Sequence, residues 1–257
     1  MLLTWWRNRK RRKLLSTPFP ERWEPILHAN CRHFARLTPD QQQRLRNDLR
    51  ILVAEKHWEG CNGLVITDEI QVTIAAHAAL MGLGFHATPF DRLASILVYP
   101  DTFVAKRTTR MAGGTFLESD EPRLGEAWYQ GPVILVWREI REQCLAAPDG
   151  RNVIIHEFAH LLDMGDHDVD GVPELDSPEQ YRTWQEVTDA EFERLQRQLR
   201  LGRRTVIDSY GATSRAEFFA VASETFFEQS ARLQSELPQL YDVLKAYYRQ
   251  DPAQREF

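Results

Sequence analysis

The chain has 257 residues, enough for one large domain or two small ones, and its hydrophobic content of 43% supports a substantial buried core. Its net charge of -5 argues against a general nucleic-acid-binding protein. The three cysteines, Cys31, Cys61 and Cys144, are odd in number and far apart. This pattern argues against a disulfide framework or a cysteine-ligated zinc site and is typical of reduced thiols in a cytoplasmic protein.

The first 17 residues have an unusual composition, because residues 1–6 are mainly apolar and residues 7–13 are almost all basic. In a secretory signal peptide the basic residues precede a longer apolar core, so this order does not predict one. No other apolar run approaches the length of a membrane span. We expect residues 1–17 to be a solvated, mobile, basic tail, with contact to acidic lipid or nucleic acid as the alternative.

Helical patterns fill the rest of the N-terminal third. Thr38 is a predicted N-cap with Pro39 at the first helical position, and Thr67 is a second predicted N-cap. Apolar residues recur at helical spacing around these caps. The predicted helices cover residues 26–37, the segment from Pro39 to its end at residues 57–60, and residues 70–80. We assign residues 18–90 to a helical N-terminal subdomain.

Short runs of apolar and β-branched residues, separated by turn residues, mark the middle of the chain. Strands are predicted over residues 95–100, 103–105, 125–129 and 131–137. Residues 106–123 are mostly polar and predict a loop or a loose hairpin. Residues 138–146 predict a helix that leads to the next segment.

Residues 153–163 predict a buried helix that carries the pattern H-E-x-x-H. His156 and His160 are four residues apart, so on a helix they face one spot and can share one Zn²⁺. Glu157 lies beside that face, where it can act as general base on a zinc-activated water. Two satisfied core histidines are the alternative. Because these polar groups lie in an apolar run and are unfavourable there without a partner, we predict a metal site.

The C-terminal part is predicted to be helical. The predicted helices cover residues 181–201, 215–229, capped by Thr213 or Ser214, and 233–248. An acidic loop over residues 165–171 precedes them.

A catalytic zinc site needs a third protein ligand. His167 follows the H-E-x-x-H pattern one residue later than the metzincin spacing requires. Glu217 and Glu224 lie two turns apart on one face of an apolar helix, where a carboxylate needs a cation or a hydrogen-bond donor. Spacing alone does not rank the candidates.

Several stretches carry a family resemblance: residues 125–128, 131–133, 153–163, 171–173, 206–210, 216–227 and 251–255. With them the chain resembles the Mlc titration factor A family of zinc metallopeptidases, gluzincins whose catalytic core is similar to that of anthrax lethal factor. The resemblance implies zinc ligands at His156, His160 and Glu217, a base at Glu157 and a tyrosine near the metal at Tyr210. It also implies one Zn²⁺ per chain, aminopeptidase-like activity in the cytoplasm, and binding to the glucose-system repressor Mlc.

Three more side chains have a chemical reason to take part. Tyr210 can donate a hydrogen bond to the developing oxyanion, with a packed loop tyrosine as the alternative. Asp163 and Glu224 can bind the second ring nitrogens of the ligand histidines, with a local salt bridge or cap as the alternative.

We therefore predict an α+β fold, a mainly helical zincin-like metallopeptidase with a small mixed sheet beside the H-E-x-x-H helix and a catalytic subdomain over residues 91–257. The predicted function is hydrolysis of peptides together with regulation of the glucose phosphotransferase system through Mlc. The alternative is a non-catalytic regulatory protein that sequesters a transcriptional repressor, with zinc structural or incidental. We predict no direct nucleic-acid contact and no membrane span.

Overall fold

A computed structural model of the chain describes residues 2–101, 107–110, 116–119, 131–147, 149–166 and 169–255. The α-helices are α1 (Leu2–Leu15), α2 (Glu24–Asn30), α3 (Pro39–Glu55), α4 (Asp68–Gly82), α5 (Trp137–Leu145), α6 (Val153–Asp163), α7 (Pro178–Arg200), α8 (Arg215–Glu228), α9 (Ser230–Glu236) and α10 (Pro238–Tyr248). The strands are β1 (His57–Gly60), β2 (Ser95–Tyr99), β3 (Arg107–Arg110), β4 (Phe116–Ser119) and β5 (Val133–Val136). The mainly helical α+β fold is confirmed.

The sheet beside α6 is small, and its described strands are all parallel, not mixed as predicted. Its strand order is β1-β2-β5, with His57 opposite Ser95 and Ile96 opposite Val133. The antiparallel pairing of β3 with β4 lies in a separate ribbon, inside the segment predicted as a loop or a loose hairpin. The strands predicted over residues 103–105 and 125–129 lie outside the described residues.

The N-terminal helices begin where their caps predict. The Thr38 hydroxyl accepts the Gln41 backbone N–H in a capping box, and the Thr67 hydroxyl accepts that of Ile70. Both N-cap predictions are confirmed. Residues 57–60, expected only to end α3, instead form β1, because their backbone pairs with β2. The subdomain boundary predicted at residue 90 falls between these two paired strands.

Residues 2–15, predicted to belong to a mobile tail, form helix α1 instead. Arg11 donates a hydrogen bond of 2.7 Å to Glu55 of α3 and one of 2.6 Å to Asp91. Arg50 of α3 donates a hydrogen bond to the Leu14 carbonyl, less than one turn further along α1. These partners are distant in sequence, so the composition of the segment alone did not reveal them.

The C-terminal helices enclose the core. Helix α8 is buried along nearly its whole length. The Phe226 ring stacks on Tyr248 of α10 with centroids 5.5 Å apart, and the Tyr248 hydroxyl donates to Ser223 Oγ at 2.8 Å. The single helix predicted over residues 233–248 is divided into α9 and α10, because Pro238 has no N–H to continue the helical hydrogen bonds.

Among the described helices, none combines the length and the hydropathy that crossing a bilayer requires.

Candidate functional site

Helix α6 is held rigidly in the core. Asn152 is its N-cap, and the Asn152 side-chain oxygen accepts the Ile155 N–H at 3.1 Å. The fully buried Phe158 packs edge-on against Phe90, with ring centroids 4.8 Å apart. The opposite face of α6 lies against α8. A helix fixed on both sides presents its polar side chains in one orientation, as a binding site requires.

His156, His160 and Glu217 come together between α6 and α8. Glu217 Oε2 lies 3.0 Å from His156 Nε2 and 3.5 Å from His160 Nε2, and the two nitrogens are 3.2 Å apart. Glu217 is fixed by the first turn of α8, where its backbone N–H is accepted by Ser214 Oγ at 3.1 Å. Of the two N-caps considered for α8, Ser214 is therefore the one used. The three side chains are all largely buried.

This triangle has the dimensions of a tetrahedral zinc site. Metal–ligand distances near 2.1 Å at the tetrahedral angle separate neighbouring ligand atoms by about 3.4 Å. The three separations here are 3.0, 3.2 and 3.5 Å. In addition, Glu217 Oε2 is buried and has no donor in hydrogen-bond geometry. A buried carboxylate oxygen without a donor is unfavourable unless a cation binds it, so the residues fit a zinc ion.

The electrostatics also favour positive charge at this spot. Burial alone lowers the pKa of His156, but Glu217 and Glu224 outweigh it and raise that pKa to about 10. Burial alone raises the pKa of Glu217, but His156 and His160 outweigh it and lower that pKa to about 2. Both pKa shifts mean that the carboxylates stabilise positive charge at the imidazole nitrogens. A bound metal ion would supply this positive charge in place of a proton.

Glu157 and Tyr210 lie next to the triangle. Burial raises the pKa of the Glu157 carboxyl, opposed by the neighbouring histidines. The Tyr210 ring lies 5.9 Å from the His156 ring, and burial, Glu217 and Glu157 raise the pKa of its hydroxyl. Tyr210 remains 46% exposed, and its raised pKa keeps the hydroxyl protonated at neutral pH, so that it can donate a hydrogen bond.

A short 3-10 helix, Ser209–Ala212, positions Tyr210. Its N-cap is Asp208, whose Oδ1 accepts the Tyr210 N–H at 2.9 Å. Asp208 Oδ2 also accepts a hydrogen bond of 2.7 Å from Arg151, just before α6. The loop that carries the tyrosine is therefore attached to the start of the helix that carries the histidines.

The two residues predicted to support the ligand histidines differ in their contacts. Glu224 Oε1 accepts a hydrogen bond of 2.8 Å from His156 Nδ1. Asp163 accepts the Gly171 N–H with both oxygens, at 2.9 and 3.1 Å. Gly171 has φ +82°, and a Cβ there would lie 2.4 Å from the Arg215 carbonyl oxygen. Asp163 thus fixes a glycine turn against the start of α8. The alternative ligand His167 lies outside the described residues.

A polar chain behind His156 was not predicted. Glu224 Oε2 accepts the Asn152 N–H at 2.6 Å, and Asn152 Nδ2 donates to Glu228 Oε1 at 2.7 Å. The same Glu228 oxygen lies 3.2 Å from Nε2 of His33, a histidine to which the sequence assigned no role. The available signal was the four-residue spacing of Glu224 and Glu228 on an apolar helix, which places both carboxylates on one face.

The buried Glu228 carboxylate predicts a loss of stability in acid. Burial raises its pKa, but His33, Asn152 and Arg32 together lower it to about 2 from the ordinary 4.5. A depressed pKa stabilises the fold above pH 4.5, and this stabilisation is lost as pH falls toward 2. Between pH 7 and pH 3, this carboxylate should account for a loss of roughly 2 kcal/mol in the free energy of unfolding.

Urea unfolding of wild type and Glu228→Gln at both pH values measures this difference. We expect the variant to be less stable at pH 7 and to lose less stability on acidification. The control is Glu236→Gln, which changes a largely exposed carboxylate paired with Arg232. Equal acid losses in wild type and Glu228→Gln would contradict the assignment.

Similarity to known proteins extends over nearly the whole chain. A sequence model of the family described as "Glucose-regulated metallo-peptidase M90" matches residues 3–249. The uncharacterized protein slr2042 of Synechocystis sp. is 42% identical over 248 residues, which cover 96% of this chain and 90% of the relative. Proteins called Mlc titration factor A in Yersinia pestis and Yersinia pseudotuberculosis are 29% identical over 255 residues, covering 98% of this chain and 90% of each relative. The family match includes all the residues of the triangle.

Proposed function

Because the chain belongs to the glucose-regulated metallopeptidase family M90, we propose that it hydrolyses peptides at a zinc ion held by His156, His160 and Glu217. The observation that carries the proposal is the buried triangle of ligand atoms, 3.0 to 3.5 Å apart. Its two-histidine, one-glutamate composition leaves a fourth position open, which is typical of catalytic rather than structural zinc sites. One zinc ion per chain is expected.

Each neighbouring side chain has a proposed task. Zinc, when bound, supplies a Lewis acid that polarises the scissile carbonyl and increases the acidity of water. The Glu157 carboxylate accepts a proton from the attacking water and delivers it to the leaving amine. The Tyr210 hydroxyl donates a hydrogen bond to the developing oxyanion. Glu224 orients the His156 ring by accepting its Nδ1–H, so that Nε2 faces the site.

The proposed specificity is aminopeptidase-like, and the resemblance to Mlc titration factor A supports it. The test compares aminoacyl-p-nitroanilides that have a free α-amine with the same compounds N-acetylated. Hydrolysis of the free-amine substrates alone is the expected result. If only internal bonds of a peptide library are cleaved, the proposed peptidase activity stands and the proposed aminopeptidase-like specificity is wrong.

Removal and return of the metal tests the peptidase itself. Dialysis against a chelator is expected to abolish hydrolysis, and one equivalent of zinc per chain is expected to restore it. Mg²⁺ is the matched control, because it prefers oxygen ligands in an octahedral arrangement and should not restore activity. Full activity in protein shown by mass spectrometry to be metal-free would overturn the proposal.

A second proposal follows from the relatives named Mlc titration factor A. We propose that the chain also binds a repressor of the Mlc type in the cytoplasm, and thereby regulates the glucose phosphotransferase system. If this were the whole function, the protein would sequester the repressor without hydrolysing a peptide. Only hydrolysis requires the Glu157 carboxylate, so a variant at this residue separates the two functions.

A further inference from the structure

Helix α1 is fixed to the rest of the protein by one of its faces. Arg7 lies 2.8 Å from an Asp91 carboxylate oxygen, and Arg11 binds both Asp91 and Glu55. At its C-terminal end, the Leu14 carbonyl accepts a hydrogen bond from Arg50. Because arginines one turn apart bind the same carboxylate, the orientation of the helix about its own axis is set.

The opposite face of α1 is exposed and combines aromatic with basic side chains. Trp5 is 48% exposed and Trp6 is 56% exposed, and their rings pack edge to face with centroids 5.4 Å apart. The basic residues of this face are all exposed: Arg9, Lys10, Arg12 and Lys13. At 100° per residue, these six side chains cover an arc of about 160° on one side of the helix. We call this surface the Trp-basic face.

The positive charge of the protein is concentrated here. Residues 1–20 contain six of the 32 basic residues and none of the 37 acidic residues. The rest of the chain therefore has 26 basic against 37 acidic residues, a net charge of -11. Two of the six, Arg7 and Arg11, are used in ion pairs to the protein body. The other four lie on the Trp-basic face, so this face can approach a negatively charged surface without repulsion.

We propose that the Trp-basic face binds the surface of an anionic lipid bilayer, with α1 lying in the plane of the interface. Exposed tryptophans beside lysines and arginines are the combination that such helices use. The indole ring is most favourable at the boundary between headgroups and acyl chains, and the cations attract acidic headgroups. Arg9 already lies 5.5 Å from the Trp5 ring centroid, an arrangement that keeps the charge beside the aromatic surface.

A nucleic acid is the competing partner for basic and aromatic residues, but the observations favour the membrane. A nucleic acid needs a basic track along several phosphates, whereas this protein offers one helix face on a body of net charge -11. A flat bilayer needs only the single face that α1 presents. The inference goes beyond the proposed peptidase and does not depend on it, because no residue of the Trp-basic face belongs to the metal triangle.

Co-sedimentation of the full chain with vesicles tests the proposal. The vesicles are pure phosphatidylcholine or a 70:30 mixture of phosphatidylcholine and phosphatidylglycerol. Binding to the anionic vesicles alone, weakened by 0.5 M salt, is the expected result. Replacing Arg9, Lys10, Arg12 and Lys13 together by glutamine should weaken this binding by roughly 100-fold or more, since each cation near an acidic surface contributes several-fold.

A second variant, Trp5→Ala with Trp6→Ala, keeps every charge and should weaken binding by about ten-fold or more through loss of the aromatic contact. The matched control replaces four other exposed arginines by glutamine, namely Arg197, Arg200, Arg203 and Arg204. It changes the net charge by the same amount and should leave binding unchanged within about two-fold. Circular dichroism shows that each variant is folded.

Several results would overturn the proposal. These are failure of wild type to bind anionic vesicles at low salt, equal binding to neutral vesicles, or equal losses in the α1 variant and the arginine control. Displacement of the protein from vesicles by a stoichiometric amount of a 20-base-pair DNA would identify the face as a nucleic-acid site instead. None of these measurements uses the peptidase activity, so their failure is distinguishable from failure of the proposed function.

Discussion

The Glu217→Ala variant is expected to lose the zinc that we propose wild type binds, at about one ion per chain. Glu217 Oε2 is the atom that both imidazole nitrogens approach, at 3.0 and 3.5 Å, and no other carboxylate belongs to the described triangle. Without it, two histidines remain, and a two-ligand site holds zinc weakly. Changing a residue that only orients a ligand costs 10- to 100-fold in affinity, so loss of a ligand should cost more than about 100-fold.

The matched comparison is Glu224→Ala, seven residues later on the same helix. Glu224 binds Nδ1 of His156 and not the spot that the metal would occupy, so this variant should retain zinc with affinity reduced by about 10- to 100-fold. Metal content by mass spectrometry and competition with a zinc chelator measure both effects. Retention of zinc in Glu217→Ala together with its loss in His167→Ala would assign the third ligand to His167 instead.

The relation of these two glutamates explains what spacing can and cannot predict. Two turns of helix place Glu217 and Glu224 on one face, which the sequence made visible. The structure adds that they approach opposite nitrogens of the same His156 ring, Glu217 at Nε2 and Glu224 at Nδ1. That division of roles depends on how α6 crosses α8, and the crossing is set by apolar packing between distant segments. Spacing within one helix contains no information about it.

Features that depend only on neighbouring residues in the sequence, such as the starts of helices, were predicted well. Thr38 and Thr67 are the N-caps of α3 and α4, and each side chain binds a backbone N–H only three residues later. Both N-caps could therefore be recognised from the sequence. Strand β1 was missed because its four residues form a strand only through pairing with β2. The break at Pro238 had a local signal, the missing N–H, and could have been predicted.

Long-range polar contacts were the part least accessible from sequence. The partners of Glu228 are Asn152, 76 residues away, and His33, 195 residues away. In the sequence, none of these three residues is distinguishable from an ordinary polar residue. Only the fold shows that they connect the surface near α2 with His156. In α1, likewise, the basic composition was visible in the sequence, but the distant carboxylates Glu55 and Asp91 that bind the helix were not.

The Glu157→Gln variant is expected to bind zinc as wild type does and to lose peptide hydrolysis by about 10³-fold or more. Glutamine has the same shape and can still hydrogen-bond water, but it does not accept the proton. General-base catalysis contributes about 10²- to 10⁴-fold, and the same carboxylate is proposed to return the proton to the leaving amine. Hydrolysis of the free-amine substrates and metal content are measured on one preparation, with Glu193→Gln, an exposed carboxylate of α7, as the control.

This variant also separates the two proposed functions, because it changes the chemistry and leaves the surface and the metal site in place. If a repressor of the Mlc type is bound equally by wild type and Glu157→Gln, binding does not require hydrolysis and the protein acts on the repressor by sequestration. If the variant with zinc bound hydrolyses peptides as fast as wild type, Glu157 is not the base. If wild type with zinc bound cleaves nothing across a broad peptide library, the triangle is a structural metal site and the regulatory function stands alone.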